Sequence, residues 1–287
     1  MPTRRLEKDT DGCIRGYLMR HEVNLQDAPA ASSMPDGEHL DSSPTYFFQI
    51  RHVSKSFGGL DVINDLSFDL IQGQTVGIIG PNGSGKTTLF NLISGFLQQD
   101  KGEILFLGKD ISHRRPSEIC KAGITRTFQL VRPFPQLTAL ENVTAGRSYG
   151  RVPALNLKQA TRESLDILAT CGMADKHNVV AAQLNLIYRK RLEIARGLAT
   201  NPKLLLLDEV FAGLNPAEIE EALSLLVRIK GMGITLVIVE HLMKVILGVS
   251  ERVLVMNYGV KIFDGLPSDA VNDELVVNAY LGEDFHA

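Results

Sequence analysis

Nine residues, GPNGSGKTT at 80–88, set three glycines, a lysine and two threonines at a spacing suited to holding an anion. Gly80, Gly83 and Gly85 let the backbone curl until its N–H groups converge. Lys86 brings an ammonium group to that point, where it neutralises the outer phosphates of a nucleotide. Thr87 offers a hydroxyl to Mg²⁺ and Thr88 a second one to phosphate oxygens, while Pro81, Asn82 and Ser84 complete the loop. A strand-like TVGIIG precedes the loop and a helical TTLFNLISGFL follows it, so the positive end of a helix faces the same anion. The ligands this implies are ATP and Mg²⁺. The competing reading, an ordinary glycine-rich turn followed by a chance lysine, fits these flanks poorly.

Other residues could serve the same phosphate. Asp208 ends the apolar run KLLLLDE and Glu209 follows it. Acids at the carboxyl end of a parallel strand stand where ligands bind in such sheets. Asp208 suits Mg²⁺, through water; Glu209 suits orienting or deprotonating an attacking water. His241 closes a second apolar strand, ITLVIVEH, and reaches that phosphate only if the two strand ends lie close; a lone histidine there is more often structural. Gln129, in ITRTFQLVRPF, has the chemistry to coordinate the metal, but an ordinary polar loop residue is the plainer reading.

The elements that must position these groups follow from periodicity. FFQIRHVSKSF and VINDLSFDLIQGQ alternate apolar and polar residues, with turns at Gly58-Gly59 and Gln72-Gly73, as strands of a half-exposed sheet do. TVGIIG, KLLLLDE and ITLVIVE are short buried strands, separated by helical stretches such as PAEIEEALSLLVRIKG. That alternation predicts an α/β fold with a largely parallel sheet. The middle, about 112–200, reads as mostly helical. Residues 1–45, rich in charge, Ser and Pro, read as a flexible tail.

Bulk properties exclude several classes. A formal charge of −3 gives no footprint for nucleic acid. Cys13, Cys120 and Cys171 are far apart and fit neither a disulfide framework nor a zinc site. No apolar run approaches the ~18 residues a spanning helix needs. Arg4-Arg5 is followed by LEKDTDG rather than an apolar segment, so it is not read as an export signal.

These pieces, in this order, resemble the nucleotide-binding subunit of ABC transporters over about residues 46–282. GPNGSGKTT resembles the family's Walker A, LLLLDE its Walker B, Gln129 its Q-loop, AGLN at 212–215 its D-loop and His241 its switch histidine. Phe57, by itself an ordinary strand residue, stands where the family places an aromatic ring under adenine. The resemblance implies a P-loop NTPase core with an antiparallel β subdomain and a helical subdomain at about 130–190, all within a domain spanning 46–287. RTFQLVRPFPQLTALENV and RLEIARGLATNPKLLLLDEVFAGLNPAE look like the ATPases of branched-chain amino-acid uptake and their urea- and amide-handling relatives. That setting implies a second ATPase subunit, two membrane-spanning permeases, an extracytoplasmic solute-binding protein, and a peripheral position on the cytoplasmic face of the membrane.

One stretch departs from the family. A signature loop, usually Leu-Ser-Gly-Gly-Gln, should touch the phosphate held by the opposite subunit. Anchored on RLEIARG, it becomes LNLIY at 184–188, with Leu186 and Ile187 for the glycines and a helix expected from about 189. Arg189, Lys190 and Arg191 would then crowd the first helical turn, against its dipole. The expectation is an asymmetric pair, which favours a heterodimer: this chain's own Walker site is complete, and the site served by LNLIY is weak. Two alternatives remain at this point. One is a regulator with a weak or non-hydrolysing composite site. The other is a soluble non-transport ABC ATPase, although no coiled-coil or zinc insert separates Lys86 from Leu184.

Overall fold

The computed structural model describes residues 47–128, 133–240 and 242–281. Among these residues ten strands form two sheets. The first is antiparallel, with order β2-β1-β4-β5: β1 (Phe48–Phe57), β2 (Leu60–Leu70), β4 (Lys101–Phe106) and β5 (Lys109–Asp110). Phe48, Ile50 and Val53 of β1 are buried while Arg51 and His52 face solvent. This is the one-sided burial that an alternating sequence dictates.

The second sheet runs β10-β9-β3-β8-β7-β6. It comprises β3 (Thr75–Ile79), β6 (Ile124–Arg126), β7 (Leu204–Asp208), β8 (Thr235–Val239), β9 (Arg252–Asn257) and β10 (Val260–Gly265). All its pairings are parallel except β9 with β10. Every residue of β3, β7 and β8 is buried, as in strands covered on both faces. The pleat of β7 shows the two covers. Leu204 and Leu206 pack in one cluster with the antiparallel sheet and with Leu89 and Phe90 of α1 (Lys86–Ile93). Leu205 and Leu207 pack in the other, with the helices of the opposite face.

Those helices include α3 (Ala139–Tyr149), α4 (Leu157–Thr170), α5 (Leu186–Ala199), α6 (Pro216–Gly231) and α7 (Met243–Val249); α2 (Pro116–Ala122) precedes them in the chain. Local chemistry sets their starts. Thr138 and Glu141 form a capping box on α3, Asn215 and Glu218 another on α6, and Pro216 opens α6. Short α8 (Pro267–Ala270) and α9 (Glu274–Leu281) close the described chain. Among the described residues no helix is long and apolar enough to cross a membrane.

One expectation needs correction and another an addition. The middle is mostly helical, as expected, but Ile124–Arg126 adds an edge strand, β6, on β7. Three residues are too few for periodicity to reveal. The helix expected from about 189 begins at Leu186 instead. Asn185 caps it, its Oδ1 accepting from the Tyr188 N–H at 3.1 Å, so Leu186, Ile187 and Tyr188 are its first turn and not a loop.

Candidate functional site

The loop after β3 has the form its composition demands. Gly80 sits at φ +150°, and a Cβ there would lie 2.0 Å from the Met256 carbonyl oxygen, so only glycine fits. Lys86 is 6 % exposed. Its Nζ donates to the carbonyls of Gly80 (2.6 Å) and Pro81 (2.7 Å) and, at 3.4 Å, to Ser84 Oγ. The ammonium is therefore at the centre of the curl. The N-cap of α1 is Gly85, which has no side chain to occupy the first-turn N–H groups, and no acid stands in that turn. This is the open, positive helix end that anions select. Thr87 is exposed and Thr88 half-buried on the same turn; Asn82 and Gly83 face solvent. Gly259 ties the loop to the antiparallel sheet. Its N–H donates to the Ser84 carbonyl (3.1 Å) and its carbonyl accepts from Asn64 of β2 (3.0 Å). Phe57 ends β1, 45 % exposed, with Lys55 Nζ 5.3 Å from its ring centroid.

Asp208 ends β7, 1 % exposed. Its backbone N–H donates to Thr127 Oγ1 (3.2 Å), and its Oδ2 accepts from Arg126 Nη2 (2.6 Å). Its Oδ1 is buried with no hydrogen-bond partner among the described residues. Burial pushes the Asp208 carboxyl above its usual range, against the pull of the Arg126 hydrogen bond and charge and of the Lys86 charge. Glu209, half-buried, adopts φ +47°, a left-handed backbone that costs about 1–2 kcal/mol for a residue with a Cβ. Its N–H donates to Val239 at the end of β8 (2.9 Å). Such strain turns the chain sharply at the strand tip and is frequent at functional sites.

A second set of buried charges surrounds the D-loop region. Glu240, 1 % exposed, accepts from the Phe211 N–H at 2.7 Å. Lys190 of α5, 8 % exposed, donates to the Ala212 carbonyl. Burial draws the Lys190 ammonium below its usual range, with Glu240, Glu209 and Glu218 opposing. The other two cations near the start of α5 also have local partners. Arg189 Nη2 donates to the Ala182 carbonyl (2.6 Å), and Arg191 bonds Glu221.

The structure thus brings the loop at 80–88, Asp208 and Glu209 to the carboxyl ends of β3 and β7, with Phe57 at the tip of the antiparallel sheet. Gln129 and His241 lie outside the described residues, as does the tail at 1–45. The sequence reading passed over Arg126 and Glu240. Glu240 carried a local signal, an acid directly after the apolar run ITLVIV, whereas Arg126 carried none, its partner Asp208 lying 82 positions away.

The chain has known counterparts. The family model for "ABC transporter" matches residues 63–212, just over half its length. The high-affinity branched-chain amino acid transport ATP-binding protein LivG of Escherichia coli (strain K12) is 36 % identical over 240 residues, covering 79 % of this chain and 94 % of that protein. The crystal structure of the ADP conformation of MJ1267, an ATP-binding cassette of an ABC transporter, superposes with TM-score 0.75 at 31 % identity, over 83 % of this chain and 99 % of that one. A dimeric post-hydrolysis state of the cassette MJ0796, bound to ADP and Pi, superposes with TM-score 0.70 at 26 % identity, over 77 % and 98 %. The matched span 63–212 contains the loop at 80–88 and the acid pair at 208–209, and the chain belongs to the ABC transporter family, as one of its ATP-hydrolysing subunits.

Proposed function

We propose that this chain powers uptake of branched-chain amino acids or related small solutes, by binding and hydrolysing ATP on the cytoplasmic face of the membrane. The observation that carries the reading is the buried Lys86 ammonium, wrapped by the loop carbonyls near a buried Asp208 that retains one oxygen without a partner among the described residues. In this reading Phe57 stacks under adenine. The N–H groups of 80–88 and Lys86 hold the phosphates, and Thr88 supports them. Glu209 orients the attacking water and accepts its proton, while His241 and Gln129 take the family's switch-histidine and Q-loop roles.

The residues also suit Mg²⁺. Among the described residues no cluster of three or more His, Cys, Asp or Glu could cage a metal. Mg²⁺ keeps phosphates and waters in its shell beside a few protein oxygens, and Thr87, Gln129 and, through water, Asp208 would supply that protein share. The ion would neutralise charge on the phosphate oxygens.

The family and the relatives named for transport support a reading with several partners. They are a second ATPase subunit, two permeases, and a solute-binding protein outside the membrane. The first turn of α5 favours a heteromeric pair. Tyr188 N–H is already used by Asn185, and the side chains of Leu186 and Ile187 stand where a close phosphate approach needs glycines. The regulator and soluble-ATPase alternatives receive no support from relatives named for transport.

The test is reconstitution with co-purified permeases and partner ATPase in vesicles loaded with ATP. Radiolabelled leucine should enter only with binding protein outside. Lys86→Ala should remove Mg-ATP binding and lower turnover by at least about 10²-fold. Tight Mg-ATP binding that survives Lys86→Ala would sink the proposal.

A further inference from the structure

We infer that Arg126 is a positioning residue for the metal-binding carboxylate: it holds Asp208 by one oxygen, braces it against the phosphate-loop helix, and leaves the other oxygen for the metal's water shell. The inference rests on the nucleotide-site reading above.

Arg126 ends β6 with a side chain only 5 % exposed, facing an Asp208 side chain 2 % exposed. A guanidinium beside a carboxylate usually closes a two-pronged fork that satisfies both oxygens. Here the fork is divided. Nη2 donates to Asp208 Oδ2 at 2.6 Å, and Nη1 donates to Asn91 Oδ1 at 2.5 Å, on the helix that Lys86 opens. The plane of the group is fixed by two rings, Phe90 and Phe128, with centroids 5.5 and 5.3 Å from the guanidinium carbon. The neighbouring Thr127 accepts from the Asp208 backbone N–H. Three consecutive residues of one strand end thus fix the main chain and the side chain of the acid.

The cost is visible in the same place. Asp208 Oδ1 and Arg126 Nε are both buried without a partner among the described residues. A pair serving only the fold would rotate to close the fork and remove that penalty. An acid kept one-sided, with its neighbour anchored to the phosphate-loop helix, instead holds an oxygen in reserve where metal and phosphate meet. Partners that orient a ligating carboxylate in this way are worth about 10–100-fold in metal affinity.

The experiment titrates Mg²⁺ into the purified full-length chain with a fluorescent ATP analogue, starting in EDTA. For wild type the analogue should tighten on addition of Mg²⁺. Arg126→Gln should move the Mg²⁺ midpoint upward about tenfold or more, with affinity in EDTA unchanged within about twofold. Arg126→Lys, which restores the charge but cannot divide a fork, should recover part of the shift. Asn91→Ala, which leaves the ion pair and removes its brace, should shift the midpoint upward by a smaller factor and guards against a failure of Arg126→Gln to fold. An unmoved midpoint in Arg126→Gln and Asn91→Ala, or a parallel loss in EDTA, overturns the inference while leaving the site itself intact. A wild-type chain that ignores Mg-ATP altogether overturns the site reading instead.

Discussion

A methyl group added at Gly80 would meet the Met256 carbonyl at 2.0 Å, whereas one added at Gly83 would meet nothing within 4 Å. The two glycines of one loop therefore do different things. Gly80→Ala is expected to destabilise the fold by about 3 kcal/mol or more, since main chain cannot yield as a side-chain tip does. Gly83→Ala, strained only by its φ of +77°, should cost about 1 kcal/mol and act mainly on nucleotide affinity. Thermal melts in EDTA and nucleotide titrations of the two variants separate these effects; equal melting losses would refute the distinction. The loop was legible in the sequence because its chemistry is contiguous, nine residues carrying their own strand and helix. Arg126 was not, because its meaning depends on Asp208, 82 positions away, and on a ring on either side.

At the scale of elements, α5 shows how a local rule can outrank an alignment. Asparagine before an apolar-periodic run is a helix-start signal, and Asn185 does cap the helix. Placing the family's glycine loop there pushed the expected start three residues too far. Ile187 is half-buried in the first turn, lining a small gap with Phe211, Leu214 and Ile194. Ile187→Gly should therefore lower stability by about 2 kcal/mol, from lost packing and the poor helix propensity of glycine. If the site served by this turn is weak for want of glycine, the same change should raise ATP turnover of the assembled complex. Paired melting and turnover measurements check both. Destabilisation without any gain in turnover would end the case for asymmetry. Lys190 and Glu240 hold residues 211–212 from two sides, so α5 and the end of β8 are joined through that short segment.

At the scale of the molecule, the alternation of strands and helices made the α/β architecture readable. The docking of one sheet on the other was not, because it depends on contacts between distant positions, a shared apolar cluster and a charged link beside it. Arg252 of β9 grips Asp264 of β10 through Nε (2.6 Å) and Nη2 (2.8 Å), and reaches the Asp69 carbonyl of β2 with Nη1 (3.0 Å). Lys261 adds a contact to Asp264 at 2.6 Å. Burial works to raise the Asp264 carboxyl, but the Arg252 and Lys261 hydrogen bonds prevail and hold it below its ordinary 3.8. Its stabilisation is thus fully present above that value and is lost as pH falls through the lower folded-state value. Asp264→Asn should destabilise the chain by about 2 kcal/mol at pH 7 and flatten the decline in urea midpoint as pH falls below about 4. An equally steep decline in the variant would show that other carboxylates govern acid unfolding. The sheet order has a mechanical corollary. β6 is the outermost member of its sheet and has only three ladder residues, paired on one side. Tension on the chain beyond Phe128 would peel this flap before it could disturb the interior strands, and the first thing to go slack would be the grip on Asp208. On the site reading proposed above, such a pull would slow hydrolysis before it unfolded the sheet.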